Sequence, residues 1–100
     1  MDKNIESQIR NEIDRDILYY IRQMEKIAPV QLLSVHSFLQ VQLRRRISLR
    51  DVQDRLDYLV SRKLLDLIQE WHNGEFRHYK ITADGMDLLD GAIPPRNWQK

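Results

Sequence analysis

The sequence contains no cysteine and only three glycines, and these scarcities exclude several classes of protein. Without cysteine there is no disulfide framework and no thiolate metal site, so we expect an intracellular, cytoplasmic location. The few glycines form no glycine-rich phosphate-binding loop of the kind that nucleotide-dependent enzymes use. No run approaches the roughly 18 consecutive apolar residues of a membrane span, and the polar residues from Asp2 onward indicate no signal peptide.

The chain has 100 residues, of which 42% are hydrophobic, and a formal net charge of +1. This length is typical of one domain with a modest core, to which self-association would add stability. We expect a single domain over residues 1–91 and a proline-containing tail over residues 92–100. The net charge favours no class of partner, but its distribution is uneven, because no acidic residue lies between Glu25 and Asp51. That interval holds Lys26, Arg44, Arg45, Arg46 and Arg50.

A long N-terminal helix is predicted over about residues 4–27. Isoleucine recurs every four residues, at Ile5, Ile9, Ile13, Ile17 and Ile21. Because each four-residue step advances about 40° around a helix, Ile5 and Ile9 lie roughly 100° or more from the face of Ile17. We expect them to contact a second copy of the chain in a homodimer, the alternative being a frayed or self-packed N-terminus.

Pro29 interrupts the helical pattern, and a second helix is predicted from about Leu32 to Leu43. Its buried stripe consists of Leu32, Val35, Leu39 and either Leu43 or Phe38. His36 has no second metal ligand at a suitable spacing, so we expect its side chain to be exposed or hydrogen-bonded.

The third helix is predicted over residues 48–63, with Ser48 as its N-cap and Asp51 in its first turn. Its apolar stripe consists of Leu49, Val52, Leu56, Leu59 and Val60. The opposite face carries Arg50, Asp54, Asp57 and Ser61, flanked by Gln53, Asp51 and Tyr58. That outer face is net acidic.

A β-hairpin is predicted from two β-rich runs around Asn73-Gly74, a dipeptide typical of a type I′ turn. The register that follows pairs Trp71 with Phe76, Glu70 with Arg77, Gln69 with His78 and Ile68 with Tyr79. We expect the last pair on the core side and an ion pair between Glu70 and Arg77. Trp71 and Phe76 either pack across the strands or form a contact surface for a partner.

A short terminal helix is predicted over residues 82–91, capped by Thr82 and ended by Gly91, with Met86 and Leu89 facing inward. Three aspartates line its solvated face without the alternating ligands of a calcium loop. They are Asp84, Asp87 and Asp90. We expect no metal and no cofactor.

The order of these elements resembles that of winged helix-turn-helix domains. The resemblance lies in residues 56–65, in the Asn73-Gly74 turn, and in residues 79–89, where a strand ending in threonine is soon followed by glycine and an apolar helix. This last pattern looks like the end of the wing in MarR-, PadR- and ArsR-like regulators. The finish over residues 85–95 is similar to small winged-helix proteins of Mu-like prophages. The resemblance implies an α+β, mainly helical fold with a two-stranded wing.

The resemblance further implies a DNA-binding transcriptional regulator of bacterial or phage type that acts as a homodimer. The helix over residues 48–63 would enter the major groove, and the wing would lie along the backbone or minor groove. Phosphate contacts would come from Arg44, Arg45, Arg46, Arg77 and Lys80. Arg50 and Gln53 would reach base edges.

The acidic outer face of the third helix leaves a second function open. Asp51, Asp54 and Asp57 would face a polyanion and oppose the counterion release that dominates nucleic-acid affinity. The alternative is a winged-helix module that binds a protein, or assembles with itself, through this face and the aromatic wing. An enzyme is not expected, since no serine has a nucleophile context and the three histidines are scattered.

Overall fold

The computed structural model describes the backbone of residues 3–71 and 74–92 and the side chains of residues 12–71 and 74–91. Its elements are α1 (Lys3–Met24), α2 (Leu32–Ser37), a π-helical segment (Phe38–Gln42), α3 (Leu49–Ser61), β1 (Leu65–Trp71), β2 (Glu75–Ile81) and α4 (Ala83–Ala92). The protein is therefore α+β and mainly helical, and its layout is compatible with a winged-helix-like fold. No helix among these residues is long and apolar enough to cross a membrane.

Helix α1 carries its later isoleucines into the core, as the spacing predicts. Ile17, Leu18 and Ile21 are at most 1% exposed. The helix ends at Met24, earlier than the predicted residue 27. The N–H of Ala28 donates to the carbonyl of Met24 at 3.0 Å, which closes the last turn just before the chain changes direction at proline.

The second predicted helix is present but changes its geometry halfway. After α2, the N–H of Leu43 donates to the carbonyl of Phe38, five residues back, which is the π-helical pattern. The wider turn takes Leu43 off the buried stripe, and its side chain is 41% exposed. Phe38 packs inward instead and stacks on Tyr20, with the ring centroids 4.3 Å apart. Of the two alternatives for the fourth buried position, Phe38 is therefore correct.

Helix α3 begins as predicted and buries most of its predicted stripe, but Leu49, at its start, is 39% exposed. The Ser48 Oγ accepts the N–H of Asp51 at 3.1 Å, which satisfies one of the unpaired donors at the helix start. Val52, Leu56 and Leu59 are at most 1% exposed. These contacts fix the rotation of the helix, so its acidic face points to solvent.

Lys63 follows the end of α3 with a φ of 61°, in the left-handed region that residues with a Cβ rarely adopt. The N–H of Leu64 reaches back to the carbonyl of Leu59 at 3.0 Å, the bond typical of a Schellman motif. Lys63 thus occupies the position just after the end of the helix, where glycine is the most common residue.

We expect Lys63→Gly to raise the free energy of unfolding by about 0.5–1 kcal/mol, because glycine adopts this conformation without the steric cost of a Cβ. Arg62→Gly is the matched control. Arg62 has a φ of −86°, so glycine there relieves no strain and only raises the entropy of the unfolded chain, which should lower the free energy of unfolding. Urea denaturation measures both variants. A loss of stability in Lys63→Gly would contradict the left-handed conformation.

The hairpin forms, but its predicted register is wrong by one residue. Trp71 pairs with Glu75, and three residues rather than two connect the strands. Gly74, with a φ of 128°, supplies the positive φ that such longer connections need near their end. The dipeptide therefore suits a loop one residue longer than the type I′ turn, and every cross-strand pair shifts with it.

The shift replaces each of the predicted cross-strand pairs. Tyr79 pairs with Leu67 on the core side, so Ile68 lies on the opposite face, across from His78. Arg77 is opposite Gln69 and binds Glu75 rather than Glu70. Phe76 pairs with Glu70, so its ring and that of Trp71 project from opposite faces of the hairpin and form no aromatic pair.

A third backbone segment joins the hairpin at its free edge. The N–H of Tyr79 donates to the carbonyl of Val30 at 2.8 Å, a single bridge between β2 and the residue that precedes α2. This bridge ties the connection between α1 and α2 to the sheet. It makes the hairpin part of the core rather than an appendage.

Helix α4 begins as predicted, since Thr82 Oγ1 accepts the N–H of Gly85 at 3.0 Å. Leu89 is buried, but Met86 is 37% exposed, so only one of the two predicted inward side chains is correct. Gly91 does not end the helix, which continues to Ala92.

Candidate functional site

The connection between the π-helical segment and α3 carries the arginine run, and three contacts hold it in place. The N–H of Arg45 donates to the carbonyl of Leu39 at 2.9 Å. The carbonyl of Ile47 lies 3.0 Å from His36 Nε2 and accepts Gln40 Nε2 at 3.2 Å. The prediction of a hydrogen-bonded His36 is therefore confirmed. The connection is a braced turn.

The three arginines do not share one environment. The Arg45 guanidinium turns back onto α1, where its NH2 atom lies 2.7 Å from Asp16 Oδ2 and 3.8 Å from Glu12 Oε2. Burial raises the pKa of the Asp16 carboxyl, while the hydrogen bond and charge of Arg45 oppose that shift. Arg44 and Arg46, on either side, are exposed. The structure thus places one predicted phosphate contact in an internal ion pair.

Arg50 lies close by in sequence, in the first turn of α3, and is also exposed. We call Arg44, Arg46 and Arg50 the arginine corner. None of the three makes an ion pair with any residue whose side chain the structure describes. An open depression of about 490 Å³ at the base of the corner is lined by Gln40, Arg44, Arg45, Arg46, Ile47 and Ser48.

Gln53, the second predicted base reader, is engaged within the domain. Its Nε2 donates to Asp57 Oδ1 at 2.8 Å and to the Tyr79 hydroxyl at 3.2 Å. Reaching a base edge would require Gln53 to give up both hydrogen bonds. The glutamine links α3 to the sheet instead.

The predicted basic side of the wing does not exist as one surface. Arg77 and Lys80 are three residues apart on β2, so they project from opposite faces of the hairpin. Arg77 is bonded to Glu75, and this hydrogen bond raises the pKa of its guanidinium, with smaller contributions from Asp57 and others. Two carboxylates therefore offset its charge.

A concave surface, which we call the α3–hairpin cleft, lies between the start of α2, helix α3 and the core-side face of the hairpin. It has a volume of about 470 Å³ and is lined by Gln31, Leu32, Leu33, Gln53, Glu75, Arg77 and Tyr79. Leu33 is 68% exposed at its rim. Trp71, 71% exposed, extends the same face of the hairpin toward its tip. The cleft is apolar in part, and its lining charges are the paired Glu75 and Arg77.

The predicted partner contacts divide among different surfaces. Trp71 is exposed beside the cleft, whereas Phe76 is half-buried on the other face, its ring centroid 5.2 Å from that of His78. Ile5 and Ile9 lie on α1, and their side chains are outside the described residues. The tail over residues 93–100 is outside them as well.

Two polar features went unnoticed in the sequence. Asp14 and Arg55 form a half-buried ion pair between α1 and α3, with a closest distance of 2.5 Å. His78 is 6% exposed, its Nε2 lies 3.6 Å from Glu70 Oε1, and its Nδ1 has no hydrogen-bond partner among the described residues. Only the shifted register could have indicated that His78 lies opposite Ile68. In the sequence, the burial of Asp14 is indicated only by its position next to Ile13 in the isoleucine stripe.

The chain matches no family model, no curated protein and no solved structure. Within residues 12–71 and 74–91, no three histidine or acidic side chains come together in a way that could hold a metal ion.

Proposed function

We propose that the chain is a winged-helix DNA-binding regulator of bacterial or phage type, acting as a homodimer and contacting DNA through the arginine corner. The element order supports the fold, together with the single antiparallel bridge from Val30, in the connection between the first two helices, to Tyr79. The observation that carries the DNA contact is the exposure of Arg44, Arg46 and Arg50 together at the start of α3.

The charge pattern of α3 decides how DNA would be approached. The arginine corner lies at the N-terminal end of the helix, where the helix dipole also favours a phosphate. Asp54 and Asp57 lie one and two turns further on and are exposed. Deep insertion of the whole helix would press both carboxylates against the DNA backbone. Contact through the helix start, with Arg44 and Arg46 on phosphates and Arg50 near a base edge, keeps Asp54 and Asp57 away from the DNA and leaves only Asp51, in the first turn, near it.

We expect the protein to bind a random-sequence duplex with an affinity that falls steeply as salt rises. In the double variant Arg44→Gln, Arg46→Gln, the affinity should fall less steeply with salt. Each lost phosphate contact should lower the slope of log K against log salt by about 0.9. Fluorescence anisotropy of a labelled duplex over a potassium chloride series measures this slope. Two chains per bound site would support the homodimer.

Arg62→Gln is the matched control, because Arg62 is also exposed but lies at the opposite end of α3. It should leave the slope unchanged. Absence of binding at low salt would refute the DNA proposal, and equal slopes for all three proteins would refute the arginine corner as the contact.

A second candidate function has its own support in the α3–hairpin cleft. Its lining holds one ion pair, Glu75 with Arg77, and Asp57 adds a carboxylate beside it through the hydrogen bond from Gln53. Leu33 at the rim and Trp71 toward the hairpin tip are exposed. Such a surface would repel DNA and suit a protein segment that presents basic and apolar side chains. A protein that fails to bind any duplex would favour this alternative.

A further inference from the structure

We infer that Arg45 is a positioning residue, whose ion pair with Asp16 orients the arginine corner instead of binding phosphate. We call this pair the α1 latch. The role of the corner rests on the proposed function, but the latch itself concerns only contacts within the domain.

The direction of the Arg45 side chain is the first argument. Its Nε and NH2 atoms both lie within hydrogen-bond distance of Asp16 Oδ2, at 2.9 and 2.7 Å. The Arg45 side chain is 28% exposed and that of Asp16 16% exposed, so solvent screens the pair only in part. Rotating the guanidinium toward DNA would leave the half-buried Asp16 carboxylate without its partner.

The backbone beside Arg45 is the second argument. Arg44 has a φ of 53°, a conformation that an arginine adopts only where its surroundings over-determine it. The surroundings here are the hydrogen bond from the Arg45 N–H to Leu39 and the latch on the Arg45 side chain. Together they turn the chain so that Arg44 and Arg46 leave on the solvent side while Arg45 leaves on the α1 side.

The consequence for binding is pre-organisation. A braced turn that already holds Arg44 and Arg46 outward loses less freedom on contact with phosphate than a flexible basic loop. The run of three arginines therefore contributes two phosphate contacts and one anchor. From the sequence alone, all three arginines would be counted as phosphate contacts.

Amide hydrogen exchange tests the latch without DNA. In Asp16→Ala, the Arg45 N–H should exchange about tenfold faster, while the Tyr79 N–H, bonded to Val30 elsewhere in the core, changes much less. Asp90→Ala, which breaks the exposed pair with Arg22, is the matched control and should leave the Arg45 N–H unchanged. The charge-swapped double variant Asp16→Arg, Arg45→Asp should restore slow exchange.

The duplex titration then distinguishes a positioning role of Arg45 from a direct contact with phosphate. Arg46→Met should lower the salt slope by about 0.9, whereas Arg45→Met should keep the slope of the unmodified protein and lose about threefold to tenfold in affinity. An Arg45→Met slope as shallow as that of Arg46→Met would overturn the inference, as would unchanged exchange in Asp16→Ala. If the unmodified protein binds no duplex, the proposed function fails, and the exchange result alone decides whether the latch positions the turn.

Discussion

Gly85→Ala is expected to lower the free energy of unfolding by about 3 kcal/mol, the upper part of the range for overpacking a core. A Cβ at Gly85 would lie 2.3 Å from the carbonyl oxygen of Leu64 and 2.7 Å from Ile81 Cγ1. The first of these is a backbone atom, which cannot turn aside as a flexible side chain could. It also accepts the N–H of Thr82 at 3.1 Å, so moving α4 away would strain a hydrogen bond at the helix start.

Gly91→Ala is the matched control on the same helix. Among the described residues, no atom outside the adjoining backbone of the helix lies within 4 Å of a Cβ built there, and its φ is not positive. Alanine should therefore stabilise the helix, by about 0.5 kcal/mol near its end. Urea denaturation of the two variants should give shifts of opposite sign. If Gly85→Ala were neutral, the close approach of α4 to the backbone of Leu64, between α3 and β1, would be wrong.

Asp14→Ala is expected to cost about 2–3 kcal/mol, somewhat below the range for breaking a fully buried ion pair. Arg55 donates two hydrogen bonds to the Asp14 carboxylate, and the two side chains are 19% and 11% exposed. The bond to Asp14 is the largest cause of the raised pKa of Arg55. Without it, a guanidinium stays half-buried between α1 and α3, with the Tyr58 ring 4.6 Å from its central carbon and the charge of Asp54 as weaker compensation.

Asp90→Ala is the corresponding control at the protein surface. Asp90 also contacts an arginine, Arg22, at 2.7 Å, but their side chains are 63% and 35% exposed. Its loss should cost well under 1 kcal/mol, because solvent screens the pair and replaces its hydrogen bonds. The comparison is made by urea denaturation of both variants at one pH and ionic strength. Similar costs at Asp14 and Asp90 would contradict the burial of the Arg55 pair.

The elements of the fold were predictable from sequence wherever a local signal decides them. The Ser48 cap and the stripe through Val52 and Leu56 depend on residues within a few turns, and both predictions are confirmed. The hairpin register depends on whether two or three residues connect the strands. Asn73-Gly74 is compatible with either, so a one-residue error changed every predicted cross-strand pair.

The candidate site was less predictable, because its side chains are assigned by distant partners. Arg45 looks like its two neighbours in the sequence, and only Asp16, on another helix, separates it from them. Gln53 likewise has a suitable position on α3 for reading a base, but Tyr79 on β2 engages it. Both partners are more than 20 residues away in the sequence, so a local sequence pattern does not predict either contact.

The sequence by itself determined the class of the fold, the three main helices, the presence of a hairpin and the acidic outer face of α3. These follow from periodicity, capping and turn chemistry, which are local and short-ranged. Only the tertiary structure decided which charges remain free. Packing α1 against the arginine run pairs Arg45, and the shifted hairpin pairs Arg77 with Glu75. Among the predicted base and phosphate contacts near α3, exposed basic charge is left at Arg44, Arg46 and Arg50, because ion pairing depends on distances across the fold.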